Sequence, residues 1–298
     1  MILLDREHDM NRNYLWAVLV IAGLQITPAH AQEALGAPPT SEAEADAPIA
    51  DEDADGPPKG GMHGFFAIGP GAVPAFEGAK KYQLIPLMIA NVGWKGTELQ
   101  VRGLGARLDL LGDSRVQVGP MFNFRGNRDS AKDGSGRVKL LDDVDSAVEI
   151  GGFIGYRFGG NQYGQGEVAL DVSLAKDVND GHDGLAGSVQ ASYAAYRTQK
   201  FFLNLDAQTS FADKKYMRAF FGVTPAEAAR SGLAAYRPDG GIKDAGAGVT
   251  LGYQFNEKWG LIARAGANYY LGDAKDSPVV DEGSKLQAVG GLALSFRF

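Results

Sequence analysis

The sequence predicts an all-β protein, a transmembrane antiparallel up-and-down β-barrel with an even number of strands, and three observations carry that prediction. Stretch after stretch alternates apolar residues with polar or small ones, the period of two that gives a strand one oily face. The oily face is free of charge over roughly 9–11 positions, the length a tilted strand needs to cross a bilayer, while the other face holds both signs of charge. The last stretch alternates Leu292, Leu294, Phe296 and Phe298 with Gly291, Ala293, Ser295 and Arg297. Closing on an aromatic strand is the habit of outer-membrane barrels, whose final strand is also read by the barrel-assembly machinery.

Residues 62–73, with Phe65, Phe66 and Ile68, form the first predicted strand, and Pro70 and Pro74 place its far end at a rim. Residues 82–94 form the second, although the run from Leu84 to Ala90 alternates poorly. Leu99 and Val101 begin a third, but Leu104, Ala106, Leu108 and Leu110 continue with the opposite parity, so Gly103 and Gly105 mark a bulge or a turn. Val116, Val118, Phe122 and Phe124 oppose Arg115, Gln117, Asn123 and Arg125; residues 129–145 are polar and charged, hence a loop.

Val148, Ile150, Ile154, Tyr156 and Phe158 then oppose Glu149 and Arg157, and Val168, Leu170, Val172 and Leu174 oppose Glu167 and Asp171. Val189, Ala191 and Tyr193 make the next strand; the turn Thr198-Gln-Lys200 leads into Phe201, Leu203 and Leu205, with Asp206 opposite. Residues 216–223 read as a strand or a loop stem. Thr224-Pro-Ala-Glu227 carries an N-cap, a first-turn proline and a capping-box glutamate, so a short helix follows and Gly232 stops it. Val249, Leu251, Tyr253 and Phe255, then Trp259, Leu261 and Tyr269 opposite Arg264, lead through loop 273–285 to the closing strand. Counting 62–73 and 216–223 gives twelve strands, and omitting both gives ten. Twelve taken in order would put the long 129–145 loop among the short turns, a conflict that a chain reversal hidden at Gly103 would cure.

Arg115, Arg125, Glu149, Arg157, Glu167, Asp171, Asp206, Arg264 and Arg297 are thereby predicted to point into the lumen, because each would cost about 2–4 kcal/mol in lipid near the midplane. Mixed signs predict paired networks that partly fill the barrel. Glycine, at 41 residues, suits a small barrel whose interior must not be crowded. A net charge of −7 argues against nucleic acid, and the lack of cysteine excludes disulfides and thiolate metal sites.

Ahead of the barrel, the apolar run from Leu15 to Leu24 and the Ala29-His30-Ala31 site predict a signal peptide over residues 1–31, cleaved before Gln32. Asp5, Glu7 and Asp9 make an acidic opening that a start at Met10 would avoid. Residues 32–61 are Ala, Pro and acid, a leader with too little to bury to offset its ordering entropy. The barrel domain is then 62–298, in the outer membrane.

Catalytic and metal chemistry find little to work with. Past the signal peptide the histidines are His63 and His182, and neither begins an H-x-S motif. The group Asp177, Asn179, Asp180, His182 and Asp183 lacks the spacing and the closing glutamate of a Ca²⁺ loop and reads as a hydrated surface loop. No catalytic, cofactor or metal residue is expected.

The run from Tyr216 through Phe221-Gly222-Val223 and Ser231-Gly232-Leu233 to Tyr236 resembles the "YFGV…A..SGL..Y" segment of the MipA/OmpV family of MltA-interacting proteins. Gly69-Pro-Gly71, Leu84-Ile-Pro-Leu87, Asp142-Asp-Val-Asp145, Gly181-His182 and Asp276-Ser-Pro278 are similar too, with Phe220 where the family has tyrosine. The resemblance implies an outer-membrane barrel without catalytic residues. Its best-known member links a lytic transglycosylase to a murein polymerase, and others resemble adhesins or porins. A scaffold for peptidoglycan enzymes is therefore the expected role. A narrow channel, or an adhesin acting through loops 212–241 and 273–285, is the alternative.

Overall fold

The computed structural model describes residues 61–161 and 164–298; the predicted signal peptide and the acidic leader up to residue 60 lie outside the described residues. Twelve antiparallel strands close into a barrel in plain sequence order, with the last beside the first. They are β1 (His63–Pro74), β2 (Tyr82–Trp94), β3 (Thr97–Arg102), β4 (Gly105–Asp109), β5 (Val116–Arg125), β6 (Ala147–Gly159), β7 (Glu167–Asp177), β8 (Leu185–Arg197), β9 (Phe201–Ala212), β10 (Gly241–Gln254), β11 (Trp259–Tyr270) and β12 (Leu286–Arg297). Loops carry α1 (Ser130–Asp133), a 3₁₀ turn (Gly136–Leu140), α2 (Lys214–Phe221), α3 (Pro225–Ser231), α4 (Gly272–Lys275) and α5 (Pro278–Glu282).

The count of twelve is reached differently from the sequence reading. The parity slip is a full reversal: Gly103, in the left-handed region at φ 56°, turns β3 back as β4, and Arg102 pairs with Gly105. Residues 216–223 are not a strand. Residues 216–221 fall in α2, whose N-cap Asp213 accepts from the Tyr216 N–H, and Tyr216, Met217, Phe220 and Phe221 form its buried face; Gly222 caps it and Val223 makes a lone bridge to Tyr236. That spacing is helical, and tertiary packing of the aromatic face overrides the β propensity of Tyr and Phe. The reversal also moves loop 126–146 to the end where the other long loops stand.

β12 closes on β1 through pairs from Phe65↔Arg297 to Ala72↔Gly290, and Gly64 and Phe298 exchange backbone hydrogen bonds of 3.1 and 3.0 Å. The pleat sorts the two faces. Leu292 and Leu294 are outside and exposed, whereas Ala293 and Ser295 are inside and buried. β2 alternates poorly in sequence because both of its faces are apolar: Leu84 and Met88 face outward, while inside Leu87 and Ile89 join an apolar wall with Ala67, Phe202, Ile262 and Ala293, and Ile85 packs on Val73. Trp94, Phe158, Tyr196, Tyr253, Phe255, Trp259 and Phe298, all exposed, ring the end with the short turns, as an interfacial belt does.

An apolar exterior of this kind makes a direct prediction. Ile154, exposed on the outer face midway along β6, changed to Arg is expected to destabilise the folded barrel in lipid vesicles by roughly 2–4 kcal/mol. Urea unfolding from vesicles measures it; an unchanged midpoint would mean that this face does not meet hydrocarbon.

Candidate functional site: the capped mouth and its buried charges

The long loops do not hang free; they fold over one mouth of the barrel. α3 begins with a complete capping box, in which Thr224 and Glu227 each satisfy the other's backbone, and ends at Gly232 in the left-handed conformation at φ 72°. Beside it, Val223 and Tyr236 form a bridge, and the Ser231 hydroxyl donates to the Glu227 carbonyl at 2.6 Å. α2 lays Tyr216, Met217, Phe220 and Phe221 against Val144, Tyr270, Ala274 and Val280, while Val223 and Leu233 join Phe76, Val138, Leu141 and Val279 in a second cluster.

Polar ties complete the cap. Arg128 donates to the Phe220 carbonyl at 2.8 Å and the Asp142 carbonyl at 3.1 Å, and the Ser277 hydroxyl donates to the Phe221 carbonyl at 2.6 Å. The motif residues Phe221, Gly222, Val223, Ser231, Gly232, Leu233 and Tyr236 are thus parts of one construction: helix stops, a bridge, and the apolar packing that seals the mouth. Tyr236 adds a 2.9 Å bond from its hydroxyl to the Asp273 carbonyl.

Directly under the cap lies a buried polar and charged network drawn from six segments of the chain. Glu77, in the β1–β2 loop, accepts at Oε1 from Tyr216 Oη (2.6 Å), Lys243 Nζ (2.9 Å) and Arg125 Nη1 (3.0 Å). Arg125 grips Glu149 with two bonds of 2.6 and 3.0 Å. His182 accepts the Gly184 N–H at Nδ1 (3.1 Å), which leaves Nε2 to donate to Glu149 at 2.9 Å. Burial would raise the pKa of Glu77, but the Lys243 and Arg125 charges and the bonds from Tyr216 and Lys243 outweigh it and hold the carboxyl below its ordinary range. Burial first, with the Glu77 and Glu149 charges behind it, keeps the Tyr216 phenol protonated so that it can donate. A cavity of about 30 Å³ beside Glu77, Lys243, Asp244, Asn268 and Gln287 has room for about two waters.

A pH dependence follows from Glu77. Because its folded pKa is depressed, the stability it lends is present above the unfolded carboxylate pKa and is lost as the pH falls through the lower folded value. Hydrogen-exchange protection over residues 213–240, taken relative to the intrinsic exchange rate at each pH, is expected to fall below roughly pH 4. Glu77→Gln is expected to remove that acid step; an acid step of equal size in the variant would show that another carboxylate governs the cap.

Of the charges predicted for the lumen, Arg125, Glu149, Arg157, Asp171 and Asp206 are buried inside. Arg107, which the alternation reading passed over because it follows the slip, meets Asp171 at 3.3 Å; Arg157 meets Asp109 at 3.5 Å, and Arg264 holds Asp206 through two bonds of 3.1 Å and Thr250 at 2.8 Å. Arg115 is not in the lumen: its odd parity is right, but it stands exposed in the turn ahead of β5, beyond the end of the wall. Glu167 and Arg297 are half-buried at the same rim. Glu77, Lys243 and Asp244 went unpredicted, the first because it lies in a loop and the others because a β-bulge between Ile242 and Asp244 turns two consecutive residues inward. Asp177 takes the backbone N–H groups of Asn179, His182 and Asp183, so the acidic loop is a turn held by its own carboxylate.

An apolar exterior, an aromatic girdle, and charges confined to a lumen sealed at one mouth define a membrane-spanning β-barrel of the outer-membrane class. The chain belongs to the MipA family, since the family model described as MltA-interacting protein MipA matches residues 66–298. It is 24% identical over 220 residues to the MltA-interacting protein of Escherichia coli K12, covering 74% of this chain and 85% of that one; the Shigella flexneri protein of the same name matches equally. Among solved structures, the N-terminal barrel of Pseudomonas aeruginosa OprF is 18% identical at a TM-score of 0.24, covering 62% of this chain and 98% of that one. Vibrio cholerae OmpT is 10% identical at a TM-score of 0.32, covering 80% and 98%. In an outer-membrane barrel the long loops face outward and the short turns face the periplasm, so the cap is the external end.

Proposed function

We propose that this protein is a non-enzymatic outer-membrane scaffold that holds periplasmic peptidoglycan enzymes, a lytic transglycosylase and a murein polymerase, against the membrane. The observation that carries the reading is the filled and capped lumen. Inward side chains from Gln100, Asp109 and Gln117 to Ala67, Ile262 and Ala293 are almost wholly shielded from water, which leaves a solute little passage and makes the channel reading the weaker one.

The periplasmic face then offers its turns. Lys95, Arg115, Lys200 and Lys258 are exposed there against Asp113 and Glu257, a modest cationic excess suited to an acidic partner surface. The name carried by the relatives points to a transglycosylase as one such partner. Immobilised barrel in detergent is expected to retain a lytic transglycosylase, and Lys95→Glu with Lys200→Glu and Lys258→Glu to weaken that retention. Steady solute-dependent current in planar bilayers, together with no enzyme retained, would replace this reading with transport.

A further inference from the structure

The barrel wall has a notch. β3 and β4 are half-height strands: β2 pairs with β3 from Trp94 up to Ile89, above which residues 82–88 pair with β1 alone. On the far side β4 meets β5 at Arg107↔Met121 and Ala106↔Phe122, and above Phe122 only β6 remains as a neighbour among the described residues. The last bond across is Gly103 N–H to the Met88 carbonyl at 2.7 Å. Successive residues of a strand aim their backbone groups to alternate sides. Met88 points toward β3 and the Val118 carbonyl accepts from Leu110 in β4, so Leu84, Pro86 and Phe124 point into the gap with no strand among the described residues to receive them. Proline, lacking an N–H, suits such an edge.

The gap lies on the cap side and is roughly 15 Å tall, about the depth of the outer leaflet's hydrocarbon. Toward the lumen the notch is closed by an apolar floor, since Leu104 packs on Val73 and Ile85 with Val289. Toward the membrane it is open, and Leu84 is 78% exposed. At headgroup level Lys80, Lys81 and Lys132 are exposed, and Lys81 Nζ bridges to the Lys132 carbonyl at 2.9 Å; Asp129 and Asp133 offset part of that charge. The edges are recessed between the taller β1–β2 and β5–β6 pairs, where a rigid second barrel cannot enter and a flexible chain can.

We propose that the notch is a binding site for an anionic, phosphate-bearing lipid of the outer leaflet. Its acyl chain lies against Leu84, Pro86 and Phe124, and its phosphate sits at Lys80, Lys81 and Lys132. Full-length barrel is reconstituted in nanodiscs of phosphatidylcholine, alone or mixed with spin-labelled phosphatidylglycerol, and the motionally restricted lipid is counted. The expected result is a restricted phosphatidylglycerol population that labelled phosphatidylcholine does not show, reduced about fivefold for each lysine removed in Lys80→Ala and Lys81→Ala. These lysines are exposed, so the variants keep the fold. Equal restriction of the two lipids, or restriction indifferent to the lysines, overturns the proposal. So does efficient disulfide cross-linking of Leu84→Cys barrels in the native membrane, where the chain's lack of other cysteines makes the readout clean, because it would show that a second copy covers the edge.

Discussion

Arg125→Met is expected to cost the barrel roughly 3–5 kcal/mol, because it removes one partner of a buried ion network and leaves the others uncompensated. Among the described residues Arg125 is the only one that donates to both Glu77 and Glu149, and both carboxylates are almost wholly buried. Lys243 still reaches Glu77, but among the described residues Glu149 would keep only His182 and Asn123. The loss should appear as a lower urea midpoint in lipid vesicles and as faster proteolysis of the loops above. Arg137→Met supplies the contrast. Its pair with Glu282 is at the surface, the arginine side chain being 54% exposed, and the expected change is within about 1 kcal/mol. Equal effects from the two substitutions would show that the network beneath the cap is no more than a solvated ion cluster.

Phe221→Ala is expected to cost about 3–5 kcal/mol, the usual loss when a buried phenyl group is cut back in packing that cannot collapse around the space. Phe221 has no exposure to water, meets Tyr270 edge-on at 5.2 Å, and leads directly into Gly222, whose N–H closes α2 on the Arg218 carbonyl. The wall of the barrel is built from strand pairs that this side chain does not make, so the damage should be local. Hydrogen exchange is expected to rise over residues 213–240 and 271–285 while the strands remain protected. Exchange rising equally in β6 and β7 would mean that cap and barrel form one cooperative unit.

Strand positions were legible because lipid outside and ions inside impose a period of two that survives in one dimension. β2 blurred it, since Ile85, Leu87 and Ile89 face an apolar stripe within the lumen and both faces of that strand are oily. α2 was misread in part because Tyr and Phe favour strands, although the Asp213 cap and the spacing of Tyr216, Met217, Phe220 and Phe221 were the available signals. α3 was legible in full, its capping box and glycine stop being local chemistry. The network under the cap was only half visible: Arg125 and Glu149 obey strand parity, but Glu77 and His182 come from loops, and no local rule brings them together.

Alternation and the charge-free face by themselves determined that this chain is a membrane barrel, because transfer energies act on each residue separately and leave their mark on sequence order. Where the wall stops at the β3–β4 hairpin, how the loops seal the mouth, and which buried charges meet were decided by tertiary structure alone. Those features depend on distances between residues as far apart in the chain as Glu77 and Lys243, and closure of the barrel sets such distances.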